Sequence, residues 1–199
     1  KIIIATGSEP ANIKAFNCDN KLVRNSTGVL ELENLPKKLA IIGGGYIGCE
    51  FASLYSILGV EVVILEALPT ILFSMGKIIS KTIADSLKKN SVEIITDVKV
   101  TNIEKSNNSV TINIDGKDPI LADMALISIG RKFNSDNIDL AKAGVLTNEK
   151  GEIIVNDKMQ TNVDNIYAIG DITGKFMLAH VASHGAMVAV DNACGNEKK

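Results

Sequence analysis

An α/β fold with a parallel sheet and a small antiparallel meander is predicted by three observations. The segment 39–66, LAIIGGGYIGCEFASLYSILGVEVVILE, reads as strand, glycine turn, helix and strand in unbroken order. The segments 98–103, 110–114 and 119–121 have β character and are joined by the turn sequences KSNNS and Asp115-Gly116. Short apolar runs at 92–95 and 124–129 have the look of buried strands.

The apolar run Leu39 to Ile42 sits between Pro36-Lys37-Lys38 and a glycine cluster, which favours a buried strand over a helix. Gly43, Gly45 and Gly48 then complete GxGxxG. The first glycine permits the tight turn, the second lets the backbone approach a pyrophosphate, and the third lets the helix pack closely on the strand. Ile47, Phe51, Leu54 and Leu58 recur at helical spacing, and Gly59 stands where a helix C-terminus favours positive φ. The helix begins at the glycines, so its free N–H groups and positive dipole end face the turn and suit a phosphate.

Val62 to Leu65 form the next strand, and Glu66 closes it where an acid accepts hydrogen bonds from a ribose 2′-hydroxyl. No Arg or Lys lies between Glu61 and Met75 to receive a 2′-phosphate, so NAD is expected over NADP. Hydrogen bonds to charged groups contribute roughly 1.5–3 kcal/mol, on the order of ten- to a hundredfold in affinity. The alternative reading is a βαβ turn with a structural role alone.

A helix is expected near Ile78 to Lys89 with Ile79, Ile83 and Leu87 as its buried stripe, followed by the strand 92–95. The strand 124–129 ends at Gly130-Arg131. Ligands sit at strand ends in open α/β sheets, so Arg131 either meets a phosphate or ribose or stands as a solvated charge. A second unit is expected from Asn134: a helix-like IDLAKAG at 138–144, a turn at 148–151, a strand at 153–155, a strand at 166–169 and a helix at 178–192. Asp171, beside Gly170 at a strand end, either accepts ribose or ribityl hydroxyls or serves as a turn or N-cap residue.

At 199 residues, 46% hydrophobic and 22% charged, the chain can bury a core. Its formal charge of −2 offers no basic face for nucleic acid or for an anionic membrane. The longest apolar runs fall far short of a bilayer span, and KIIIATGSEP has no signal-peptide layout. That opening reads as a mid-domain strand without an initiator Met, so a piece of a longer protein is expected. Cys18, Cys49 and Cys194 form no close pair, which suits a reducing compartment. Cys49, in the first helical turn, is either a reactive thiol or a small packing residue. His180 and His184 lack an acid or Cys at ligand spacing, so no metal is expected.

ATGS at 5–8, GGGYIGCEFASL from Gly43, VVILE ending at Glu66, SIGR at 128–131, QTNVDNIYAIGDITG from Gln160 and MLAHVASHG from Met177 resemble the flavin-dependent pyridine nucleotide–disulfide oxidoreductases. The resemblance covers nearly the whole chain and is thinnest at 18–34. LAH before the last helix and the acid at Glu66 favour the NAD-linked members that oxidise dihydrolipoamide over glutathione or mercuric reductases.

By this resemblance the chain holds the end of a FAD-binding domain and a linker (1–34), a Rossmann-like NAD-binding domain (35–133) and a return segment of the FAD-binding domain (134–199). The resemblance assigns Gly43, Gly45, Tyr46, Ile47, Gly48, Glu50, Glu66, Ala67, Val100, Ile129, Gly130 and Arg131 to NAD. Tyr46 would gate the nicotinamide pocket and Val100 would touch the adenine side. Glu50 would pair with a lysine near the flavin, or simply favour the helix dipole. Thr6, Gly7, Gly170, Asp171, Met177, Leu178, Ala179 and His180 are assigned to FAD, with Asp171 on the ribityl chain and Ala179 and His180 by the isoalloxazine ring.

The family's redox disulfide would lie upstream of Lys1 and its His–Glu acid–base pair downstream of Lys199, so the chain alone is expected to be inactive. The implied whole is a homodimeric flavoprotein of a bacterial cytoplasm or a mitochondrial matrix. It would pass electrons from dihydrolipoamide of an acyltransferase or lipoyl protein through a disulfide and FAD to NAD. Phe133 stands where the family usually has Pro. A related NADH-linked disulfide reductase or NADH oxidase would share nearly every motif, and a non-catalytic NAD-binding module is the remaining class.

Overall fold

The computed structural model describes residues 1–198. Two compact units are formed, Pro10–Gly130 and Lys1–Glu9 with Arg131–Lys199. Along the chain, β1 (Ile2–Ile4) and β2 (Ser8–Pro10) precede β3 (Val23–Asn25), α1 (Ser26–Leu30), β4 (Lys38–Ile42), α2 (Tyr46–Ile57) and β5 (Glu61–Leu65). Next come α3 (Lys77–Lys89), β6 (Glu93–Ile95), β7 (Val100–Lys105), β8 (Val110–Ile114), β9 (Ile120–Ala122) and β10 (Met124–Ile127). Finally, β11 (Arg131–Phe133), β12 (Ile166–Ala168) and α4 (Ala179–Ala193) complete the set. No helix among the described residues is long and apolar enough to cross a membrane.

The unit Pro10–Gly130 is built on a five-stranded parallel sheet in the order β3-β10-β4-β5-β6. β4, β5 and β10 are nearly continuous runs of buried apolar residues, as strands covered on both faces must be. Alternation along them divides the core in two. Leu39, Ile41, Val62, Ile64 and Leu126 pack with Cys49, Ala52 and Tyr55 of α2 and Leu87 of α3. Ala40, Ile42, Val63, Leu65 and Ile127 pack instead with Ile103, Val110, Ile112 and Ile114. The latter four belong to a three-stranded antiparallel sheet, β7-β8-β9.

The compact unit begins well before residue 35. β3 pairs in parallel with β10, Val23 is fully buried, and Asn25 caps α1 by accepting from Thr27 and Gly28. Tyr55 of α2 donates its hydroxyl to the Val29 carbonyl at 3.0 Å, so residues 23–30 are tied to the helix as well as to the sheet.

The residues whose spacing marks α2 are not those it buries. Gly48, Cys49, Ala52 and Tyr55 face the sheet, whereas Leu54 and Leu58 are 47% and 50% exposed. Close approach at the start of the helix requires small residues, while Tyr55 is buried further along and Leu54 and Leu58 fall on the outer side. α3 behaves similarly: Leu87 and Ser80 are buried, Ile83 is half-buried and Ile79 is exposed.

In the unit Lys1–Glu9 with Arg131–Lys199, β1 pairs in parallel with β12, and β2 pairs with β11. Phe133, Leu140, Val145, Ile153, Ile166, Ala168 and Ile172 form its core, so Phe133 is a buried core residue. The helix expected at 138–144 is a run of turns with hydrogen bonds from Lys142, Ala143 and Gly144 to residues three back. Asn137, Asp139 and Gly144 all have positive φ, which interrupts a right-handed helix. The strand expected at 153–155 is reduced to one bridge, Ile153 to Thr147.

Leu126→Ala, at a fully buried position of β10, is expected to lower stability by about 2–5 kcal/mol in urea unfolding. Leu121→Ala, at an exposed position of β9, should stay within about 0.5 kcal/mol of the parent.

Candidate dinucleotide site

The turn between β4 and α2 is shaped by glycines with different duties. Gly43 has φ of +104°, and a Cβ there would lie 2.5 Å from the Ser128 carbonyl oxygen. A Cβ on Gly48 would stand 2.1 Å from the Gly43 carbonyl oxygen, so no other residue fits without moving backbone. At Gly45, the N-cap of α2, a Cβ would meet nothing within 4 Å. The turn is thus packed tight at its first and third glycines and open at its second, where a pyrophosphate would approach. The first N–H groups of α2 have no carbonyl within the helix and point to this opening.

Glu66 is half-buried beyond the end of β5, and both of its carboxylate oxygens accept backbone N–H groups. Gly44 donates to Oε2 at 2.6 Å and Leu68 donates to Oε1 at 2.8 Å. The acid is therefore fixed against the glycine turn, and each oxygen retains capacity for a further donor such as a ribose hydroxyl.

Four residues escaped the reading of the sequence. Gly44 is needed because a Cβ would collide with Ile71 Cγ2 at 2.6 Å, and Ile71 is itself buried. Ser128 donates its hydroxyl to the carbonyls of Ile42 and Gly43, at 3.1 and 2.9 Å, which ties the end of β10 to the turn. Leu72 donates its N–H to the Gly44 carbonyl at 2.8 Å. Gly44 and Ser128 stand inside the motifs GGGYIGCEFASL and SIGR without a role of their own, and Ile71 and Leu72 carry no such signal.

Cys49 is buried behind the turn and donates its thiol to the Gly44 carbonyl at 3.5 Å. Burial, aided by the negative charges of Glu66 and Glu50, pushes this thiol up to about 11. It is held protonated at neutral pH and fills space, so it is no nucleophile.

The other residues assigned to NAD fall around this end of the sheet with less definition. Tyr46 and Glu50 are exposed on α2, Ile47 is half-buried, and Ala67 is exposed beside Glu66. Ile129 and Gly130 are exposed after β10, with the Ile129 nitrogen 3.2 Å from where a Cβ on Gly43 would stand. Val100 is half-buried at the start of β7 and packs against the core beneath the antiparallel sheet.

Arg131 keeps other company. Its Nε donates to Ser8 Oγ at 2.6 Å and its Nη2 to the Ser8 carbonyl at 2.7 Å. Ser8 Oγ donates to Asp171 Oδ2 at 2.5 Å, and Arg131 Nε lies 3.6 Å from that oxygen. Arg131 is thus linked to Asp171, within the same unit. Gly170 has φ of +71° and opens the 3-10 turn Gly170–Thr173. Thr6 and Gly7 precede β2, their carbonyls accepting from Asn134 Nδ2 and Asn134 N–H, and Gly7 has φ of +67° with open space beside it. Met177 packs against the core, while Leu178, Ala179 and His180 are exposed where α4 begins.

A family model described as pyridine nucleotide-disulphide oxidoreductase matches residues 1–186. The dihydrolipoyl dehydrogenase of Chlamydia pneumoniae is 48% identical over 197 residues, which cover 99% of this chain and 42% of that protein. The mitochondrial dihydrolipoyl dehydrogenase 1 of Arabidopsis thaliana is 38% identical over 199 residues, covering 98% of this chain and 39% of its own length. The chain therefore spans about two fifths of these curated relatives. Among solved structures, the HOCl-induced flavoprotein disulfide reductase RclA from Escherichia coli superimposes over 100% of this chain and 46% of that one, with a TM-score of 0.90 and 33% identity.

Gly48→Ala is expected to lower stability by about 1–3 kcal/mol through overpacking. Gly45→Ala should unfold like the parent in urea, because a Cβ there meets nothing within 4 Å. Iodoacetamide at pH 8 should label Cys18 and Cys194 and spare Cys49, as read by peptide mass. The folded-state pKa of Cys49 is raised, so its contribution to stability is complete below the unfolded value of 9.0 and is lost as pH rises toward about 11.

Proposed function

This chain belongs to the pyridine nucleotide-disulphide oxidoreductase family, and we propose that it is the NAD-binding part of a dihydrolipoyl dehydrogenase, with flanking parts of the FAD-binding domain. The observation that carries the NAD assignment is the carboxylate of Glu66 fixed against the Gly44 N–H. A 2′-phosphate would have to approach this charge, and 62–74 supplies no cation to receive it. In this reading the sheet is Rossmann-like. The glycine turn binds the pyrophosphate, Glu66 the adenine ribose and Tyr46 the nicotinamide end, while Glu50 orients a lysine near the flavin.

The unit containing Ser8, Arg131 and Asp171 suits a flavin. Asp171 has one oxygen engaged by Ser8 and a partly exposed carboxylate, which leaves capacity for a ribityl hydroxyl. Gly7 offers backbone with open space beside it. Arg131, assigned to NAD by the resemblance, acts in this reading by orienting Asp171. Bound flavin supplies the hydride and electron transfer, and the protein supplies binding and orientation.

The whole protein would oxidise dihydrolipoamide with NAD, as a homodimer serving a lipoyl-bearing acyltransferase in a bacterial cytoplasm or a mitochondrial matrix. A second reading, another NADH-linked flavoprotein disulfide reductase, is favoured by the superposition on RclA, which takes in the whole of this chain and 46% of that one. Dihydrolipoamide-dependent reduction of NAD by the product of the whole gene separates the two.

Calorimetric titration of this chain should give saturable NADH binding with NADPH poorer. Glu66→Ala should weaken NADH by about ten- to a hundredfold and narrow the gap between the two nucleotides. Equal binding of NADPH by the parent would overturn the assignment to NAD.

A further inference from the structure

The loop after β5 folds back onto the glycine turn through one backbone residue in an unfavourable conformation. Leu72 has φ of 50° and ψ of 38°, the left-handed region that a bulky side chain seldom occupies. Such a residue persists only where its surroundings over-determine it, and such sites cluster at binding sites and clamps. Three contacts hold Leu72. Its N–H donates to the Gly44 carbonyl at 2.8 Å, and its own carbonyl accepts from Met75 N–H at 2.8 Å and from Ser80 Oγ at 3.1 Å. Ser80 is 3% exposed in the first turns of α3, one of two buried polar residues among those described.

We propose that Ser80 is a positioning residue for the dinucleotide, acting through Leu72 on the glycine turn. With Leu72 held left-handed, its N–H reaches the Gly44 carbonyl and the neighbouring Ile71 side chain sits beneath Gly44, 2.6 Å from where a Cβ would be. The two peptide groups flanking the Gly44 Cα are then both held, the first by its N–H to Glu66 and the second by its carbonyl to Leu72. Gly45 follows directly, so the orientation of the open edge of the turn is set before any ligand arrives. α3 thereby contributes to nucleotide affinity by preorganisation.

The binding half of the test rests on the NAD reading above, whereas the exchange half does not. In ligand-free Ser80→Ala, the amides of Leu72 and Gly44 should exchange about three- to tenfold faster than in the parent, the cost of one lost hydrogen bond. The amides of Ile41 and Ile64, in the sheet, should be unchanged. NADH should bind more weakly by a similar factor, with the preference over NADPH retained because Glu66 is untouched. Unchanged exchange at Leu72 and Gly44, or equal acceleration at Ile41 and Ile64, would overturn the proposal. So would parental NADH affinity in the variant. A parent chain that binds no NADH would overturn the NAD reading instead, and the exchange pattern would still decide the role of Ser80.

Discussion

The carbonyl of Gly43 is pressed against the Cα of Gly48, with a Cβ there only 2.1 Å away, while the hydroxyl of Ser128 donates to the same carbonyl at 2.9 Å. This contact brings α2 down on the carboxyl ends of β4 and β10. Because the helix starts so close, its first N–H groups open directly at the sheet's end, where a dipole and unpaired donors suit an anion. The small residues of its inner face follow from the same constraint. Gly48, Cys49 and Ala52 are buried where the first turns of the helix lie closest to the sheet, and Tyr55 is buried a turn further on. The thiol of Cys49 is kept protonated by that burial, which removes it from chemistry.

The strands and the glycine turn were legible because local sequence decides them. LAII, VVIL and MALI are apolar throughout since both faces of the sheet are covered, and each forms the expected strand within a residue or two. The buried faces of the helices were less legible. Spacing finds a helix, but Leu54 and Leu58 share that spacing while facing outward, and only the close approach at Gly48 selects the face. The turns at 138–144 misled for another reason. IDLAKAG has helical composition, yet Asn137 and Asp139 lie in the left-handed region, a tertiary outcome that composition does not report.

At the site, the pattern GxGxxG and the closing acid gave the positions, and the structure gave the connections. Nothing in spacing announces that Glu66 would bind the Gly44 N–H, or that Ser128 and Leu72 would take up the turn's carbonyls. These are contacts across strands and loops distant in sequence. The same holds for Arg131, whose place at a strand end admitted a phosphate or ribose, and which is bonded to Ser8 and lies close to Asp171. Its partners are separated from it by more than a hundred residues in one case and by a whole turn region in the other, so local pattern had no means of finding them.

The glycine turn, held by Glu66, is proposed as a ready-made site for NAD. The most direct measurement is an amide NMR titration of the isotopically labelled chain with NAD. The largest shifts are expected at Gly45, Tyr46 and Ile47, lesser ones at Glu66 and Ala67, and little change through β8 and β9. Shifts confined to residues 131–198, with 43–48 unmoved at saturation, would contradict this proposal.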